Sequence, residues 1–217
     1  ALRMSADLFS RMGVTGGHLT GMNAVMLIAC YIFKLNKGKP LDEWAVEPDD
    51  EENIRRWVIS VLFHGVLGGA ANVTMELYRR TLNEQFDFCW ISSLPPFFPV
   101  RMLNERMTKR GRVMDFDDTA IARFCSTEAK ARLGQPCLSL LYDRVDWKTE
   151  GFQLVQIMPS HRLLDERLQA AGLTEMEIPV AQNWASKLAN FALMSETEAR
   201  EYYQMDFEDW VATRTPD

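Results

Sequence analysis

Histidine is the scarcest chemical resource in this chain: of 217 residues only His18, His64 and His161 are histidine. No two of them stand three or four residues apart, which argues against a helical metal pair. Cysteine is nearly as sparse. Cys30, Cys89, Cys125 and Cys137 are widely separated and form no C-x-x-C pair, so neither a zinc knuckle nor a disulfide framework is indicated, and a reducing cytoplasm fits best. Long apolar runs are missing as well. The longest, Ala24 to Phe33, has ten residues, against roughly 18 or more for a bilayer span. Arg3 and Arg11 precede that run as they would in a signal peptide, but KLNKGKP follows where a small-residue cleavage site would stand, so the run reads as a buried helix. Positive charge is also in deficit. The net charge is −6 and the pI is near 5.2, so the protein as a whole does not attract nucleic acid and any DNA contact must be local.

What is present is an ordinary globular composition, 47% apolar and 25% charged, enough for one large domain or two small ones. Disordered, collagenous and low-complexity classes are excluded, and no internal repeat is visible. The chain opens on Ala1 and enters an amphipathic pattern within a few residues, from which a processed product or a fragment of a longer protein is expected.

Apolar spacing is mostly helical. Ile54, Trp57, Val58, Val61 and Leu62 share one face, and Pro48 with Asp49, Asp50, Glu51 and Glu52 supplies a favourable first turn, where the helix dipole attracts negative charge. Gly65, Gly68 and Gly69 interrupt, and Val73, Leu77 and Leu82 predict a second helix in antiparallel return. Leu94, Pro95, Pro96 and Pro99 break the chain before a charged helix from about Val100 to Arg110, closed by Gly111. Asp115 or Asp117 can cap a short helix carrying Ile121, Phe124 and Cys125. After Pro136, the stretch Cys137 to Tyr142 fits a helix or a buried strand equally.

The polar segment Asp143 to Gly151 is the best internal boundary. It suggests a helical domain over 1–145 and a different region over 146–217. In the second region Phe152 to Met158 reads as a strand stopped by Pro159, Ser160 as the cap of a helix running to Gly172, and Asn190 to Met194 as another strand. Ser195-x-x-Glu198 then forms a capping box. The order is strand, helical insert, strand, helix.

Chemistry has few places to reside. His64 reads as a packed or C-terminal helix residue, and His18 in Gly16-Gly17-His18 as a turn without the lysine of a phosphate loop. His161 follows the strand end, where its simplest reading is a polar first-turn residue. No Gly-x-Ser-x-Gly elbow, Walker loop or His-Glu-x-x-His motif occurs. The one basic concentration is Arg101, Arg106, Lys109, Arg110 and Arg112, opposed by Glu105 alone. Its simplest reading is a solvated helix end. Its functional reading is a DNA-binding segment that neutralises a few phosphates.

The stretch LVQIMPSHRL, followed some way on by LANFALMSETEA, resembles the C-terminal half of the GmrSD-like restriction proteins. Leu8-Phe9 with Gly16-Gly17 and Leu19, the helix around Trp57, and LGQPCLSLLY are more loosely similar to that family's helical middle. The resemblance implies a ParB-like nucleotidase module, a helical region and an HNH-type ββα module. Its usual pattern is Asp-His-Ile-Phe-Pro-x-Ser, then Gly-Asn-Leu-x-Leu-Leu and Glu-Asn. Pro159, Ser160, Asn190, Leu193, Ser195 and Glu198 match, but Val155-Gln156 replaces Asp-His and Glu198-Ala199 replaces Glu-Asn. Glutamine has no nitrogen basic enough to take a proton from water, and valine cannot bind a metal. The ParB-like motif is missing from the chain.

The expectation is therefore a mainly α fold, a multi-helix domain followed by a small, degenerate HNH-like ββα unit. It implies no catalytic residue, metal or other cofactor. Its function would be to bind DNA or to couple to an N-terminal nucleotidase module of the same protein, in the bacterial cytoplasm and in phage defence. A homo-oligomer is open, and no membrane is involved. One alternative is a metal-dependent HNH-type endonuclease with a rearranged site, in which His161 is the base and Asn190 orients it. Another is a protein-interaction domain without a nucleic-acid role, which the acidic balance favours.

Overall fold

A computed structural model describes residues 1–19, 22–36, 46–67, 71–92, 96–142, 147 and 151–213. Among the described residues the protein is mainly helical with one small two-stranded antiparallel sheet. It forms two compact units, Ala1–Asp115 with Tyr142–Lys148, and Phe116–Leu141 with Thr149–Asp217. The sequence suggested a division at 145, whereas Phe116–Leu141 packs with the C-terminal residues. Among the described residues no helix is long and apolar enough to cross a membrane.

In the first unit α1 (Leu2–Arg11), α2 (Asn23–Asn36), α3 (Pro48–Phe63), α4 (Ala71–Ser92) and α5 (Val100–Thr108) follow one another. The apolar run seen in the sequence lies within α2, with Ile28, Tyr31 and Ile32 fully buried. Helix α3 begins at Pro48 with Asp49, Asp50 and Glu51 in its first turn. Asp50 does more than favour the helix start, because its carboxylate turns inward, accepting the Tyr31 hydroxyl and, at 2.7 Å, the amide of Phe98. That carboxylate ties α2 and the 96–99 segment to α3, and the rings of Tyr31, Trp57 and Phe98 meet edge to face around it. In α4, Leu77 and Leu82 are buried while Val73 is exposed. Gly68, Gly69, Leu94 and Pro95 lie outside the described residues.

Trp147 is the one described residue between 143 and 150. Its amide donates to the Arg11 carbonyl at 3.1 Å, and its indole lies over Gly13, where a Cβ would come within 2.5 Å of it. Gly13 also has φ of +72°, so both the turn and the close approach require glycine.

The second unit holds α6 (Asp118–Ser126), α7 (Gly134–Leu138), β1 (Phe152–Gln156), α8 (Asp165–Ala170), α9 (Glu177–Trp184), β2 (Phe191–Ser195), α10 (Glu196–Tyr202) and α11 (Phe207–Ala212). Asp117, not Asp115, caps α6 by accepting the Ala120 amide at 2.8 Å. The ambiguous stretch from Cys137 is helical: α7 passes into a 3-10 turn over Ser139–Leu141. Burial pushes the Cys137 thiol up to about 12, so it packs as a small apolar side chain.

Strands β1 and β2 pair with Phe152 opposite Ser195 and Gln156 opposite Phe191. The expected order of strand, helical insert, strand and helix is present. Two expectations need correction. Strand β1 stops at Gln156: the Ile157 amide still reaches the Asn190 carbonyl in register at 2.8 Å, but at Met158 both backbone groups go to the Asn190 side chain instead of to a partner strand. Ser160 does not cap a helix: it begins a 3-10 turn over Ser160–Arg162, its hydroxyl bonds Gln156, and α8 starts later, after Leu164. The capping box at Ser195 is intact. Ser195 N–H donates to Glu198 Oε2 at 2.9 Å and Glu198 N–H to Ser195 Oγ at 3.2 Å, closing the start of α10.

Candidate functional site

Strand geometry sends Val155 and Gln156 to opposite faces of the sheet. Val155 is fully buried in a cluster with Met194, Ala199 and Tyr202, and Ala192 and Trp210 pack against its edge. Both Val155 and Ala199, the residues at which the resemblance is broken, are thus small pieces of one apolar core. Burying such a side chain stabilises the unit by roughly 1.5–3 kcal/mol for a valine. Tyr202 closes the cluster and shares its hydroxyl proton between the carbonyls of Gln156 and Ile157, each at 2.9 Å.

On the other face Gln156 is half-buried. Its Nε2 donates to the Ala185 carbonyl at 2.7 Å, and its Oε1 accepts the Ser160 hydroxyl at 3.3 Å. Asn190 reaches the same carbonyl, with Nδ2 donating to Ala185 O at 3.1 Å and to Met158 O at 3.0 Å, while its Oδ1 accepts the Met158 amide at 2.7 Å. Two side-chain amides therefore fix the strand end, the turn after it and the end of α9 to one another. Segment 127–129 steadies the approach to β2: the Leu188 amide donates to Thr127 O at 2.8 Å, and Lys187 pairs with Glu128.

Beside these amides lies an open cavity of about 290 Å³ walled by Met158, Leu163, Ala181, Trp184 and Ala189. None of its described lining residues titrates. His161 is exposed, and Asn190 directs its amide to backbone rather than to that ring. Among the described residues, no group of three or more histidine, cysteine, aspartate or glutamate side chains is placed to hold a metal ion.

No protein-family model matches the chain, and no curated protein does. Function is therefore read from what each side chain touches.

His18 is a local cap: its Nδ1 accepts the Thr15 amide at 2.9 Å. His64 ends α3, its ring edge-on to Phe63. The basic segment is divided by the fold. Arg106 donates to the Thr81 hydroxyl at 2.9 Å and pairs with Glu84, and Arg112 donates to the Val66 carbonyl. Both are partly buried struts between elements of the first unit. Arg101, 90% exposed, reaches Glu105 at 3.6 Å. Lys109 and Arg110 stand in solvent, Arg110 making one long contact of 3.4 Å to Val73 O.

Arg110 has company that the linear sequence did not reveal. Arg80 of α4 lines the same cleft of about 320 Å³, together with Val73, Glu76 and Leu77. Arg79 lies one residue before it. Both guanidinium groups bind Glu76, Arg79 Nε at 2.9 Å and Arg80 Nε at 2.8 Å. These hydrogen bonds, Arg80's first, hold the Glu76 carboxyl below its ordinary range. The signal was the adjacent pair Arg79-Arg80. Its meaning depended on α5 folding back beside α4.

Proposed function

We propose that the chain is a non-catalytic C-terminal region of a GmrSD-like restriction or defence protein, which holds DNA or couples to a nucleotidase module outside these residues. The observation that carries this reading is the filling of the HNH-like position. Val155 and Ala199 complete an apolar core, and Gln156 is anchored to Ala185 and Ser160. A core position gives no room for a carboxylate and its cation, and an anchored amide removes no proton.

The order of strand, helical insert, strand and capped helix supports the family resemblance. The DNA part rests on exposed cations near α5, with Lys109 and Arg110 in solvent. The anchored Asn190 weighs against the rearranged nuclease, because its amide is committed to backbone. The net charge of −6 is the observation that favours a plain protein-interaction domain.

Retention of the purified chain on duplex DNA tests the reading. Binding that falls steeply between about 50 and about 200 mM salt supports it. No retention at the lower salt leaves coupling to another protein module as the function, and magnesium-dependent nicking overturns the non-catalytic assignment.

A further inference from the structure

The basic residues in and just after α5 fall into two kinds. Arg106 and Arg112 are held by Thr81, Glu84 and Val66, so their charge is neutralised or their donors are directed inward. Arg110 and Lys109 face solvent, and the fold sets Arg80 in the cleft that Arg110 lines, with Arg79 beside it on α4. Against these four cations stands Glu76, whose two carboxylate oxygens are both engaged by Arg79 and Arg80.

A carboxylate bound by two guanidinium groups occupies the place a phosphate would take. Arginine presents to both the same planar fork of donors. The contacts from Glu76 are surface pairs within one helix, at i,i+3 and i,i+4, with Arg79 67% and Arg80 71% exposed. Such pairs are weak and exchange partners readily.

We infer that the cleft between α4 and the end of α5 is a phosphodiester-binding site, lined by Arg80 and Arg110 with exposed Lys109 adjoining it, and closed in the free protein by Glu76, held there by Arg80 and Arg79, as an internal competitor. The inference rests on the DNA reading above and deepens it. The contacting cations come from α4 and from the turn that follows α5, two of the five sequence-suggested cations are struts, and affinity is held down from within. The acidic charge elsewhere on the chain keeps the binding local and salt-sensitive.

The test is fluorescence anisotropy with a labelled duplex DNA of random sequence, at several salt concentrations. Intact protein is compared with Glu76→Gln, Arg80→Ala/Arg110→Ala and Arg106→Ala, each checked for an unchanged thermal transition or, for Arg106→Ala, corrected for a changed one. Glu76→Gln is expected to tighten binding by about two- to five-fold, since it leaves the cations unpaired. The double variant should weaken binding about ten-fold or more and lower the salt slope by about 2. Arg106→Ala should leave the slope unchanged.

If the intact protein binds but Glu76→Gln binds no better and the double variant no worse, the cleft is not the site, while the DNA reading survives. If no protein binds at the lowest salt, both fail. Equal competition by polyglutamate and by duplex shows an acidic protein surface as the partner and overturns the phosphodiester assignment.

Discussion

Gln156 and Asn190 converge on one acceptor, the backbone carbonyl of Ala185, at 2.7 Å and 3.1 Å. A carbonyl oxygen has two lone pairs, and here both receive side-chain amides. Residues separated by 34 positions are thereby locked to the end of α9. At the place where the resemblance would put a proton acceptor, the chain has built a clamp.

The clamp has a measurable strength. Asn190→Ala leaves the Met158 amide and carbonyl without their partner and frees one lone pair of Ala185. Because Met158 is exposed and water can take the place of the lost partner there, this should destabilise the second unit by about 0.5–1.5 kcal/mol, read as a shifted urea midpoint. Asn190→Asp keeps the acceptor but loses both donors, so it should recover only part of the loss. A midpoint unchanged in both variants would show the contacts to be incidental.

The assignment of Val155 to the core makes a second prediction. Val155→Asp puts an unpaired carboxylate into a fully buried site, which should cost roughly 3 kcal/mol or more. Magnesium should not restore what is lost. Restoration of stability by magnesium would mean that the position is a latent cation ligand.

Part of this was legible in the sequence because the signal was local. Pro48 with its acidic turn marked α3, Ser195 and Glu198 marked the start of α10, and the short runs Phe152 to Met158 and Asn190 to Met194, bounded by Pro159 and Ser195, marked the strands. What escaped depended on residues brought together from a distance. The hydroxyl of Ser160 was a good cap on paper, but Gln156, four residues earlier, captures it and α8 starts at Asp165. Asn190 looked like a site residue because a polar side chain beside a strand can serve either chemistry or backbone. Only the positions of Met158 and Ala185 decide which. Likewise the five cations from Arg101 to Arg112 are alike in sequence, and it takes Thr81, Glu84 and Val66 to tell struts from free charge.

Asp50 gives a pH prediction for the first unit. Burial raises its carboxyl above the ordinary 3.8, outweighing the lowering by the hydrogen bonds from Tyr31 and the Phe98 amide. A raised folded-state value means that the protonated form fits the fold better. Its contribution to stability is therefore full below the unfolded value of about 3.9 and is lost as pH rises through the folded value. Asp50→Asn removes that loss while its side-chain oxygen can still accept from Phe98. The stability of the variant relative to the intact protein should improve as pH rises from about 4 and then level off. Urea titrations at a series of pH values check this, and a difference independent of pH would contradict it.

The capping box offers a smaller effect. Ser195→Ala should cost about 1 kcal/mol through loss of the bonds to the Glu198 amide and carboxylate, while Ser195→Thr, whose hydroxyl can both accept and donate, should regain most of it. Equal losses in the two variants would place the effect elsewhere than the cap.

The most direct test of the central claim is a plasmid-nicking assay on the purified chain with magnesium or manganese, run beside His161→Ala and Gln156→Ala. With Val155 and Ala199 in the core and Gln156 clamped to Ala185, the prediction is no phosphodiester cleavage above buffer in any of the three. Cleavage by the intact chain that disappears in His161→Ala or Gln156→Ala would contradict it.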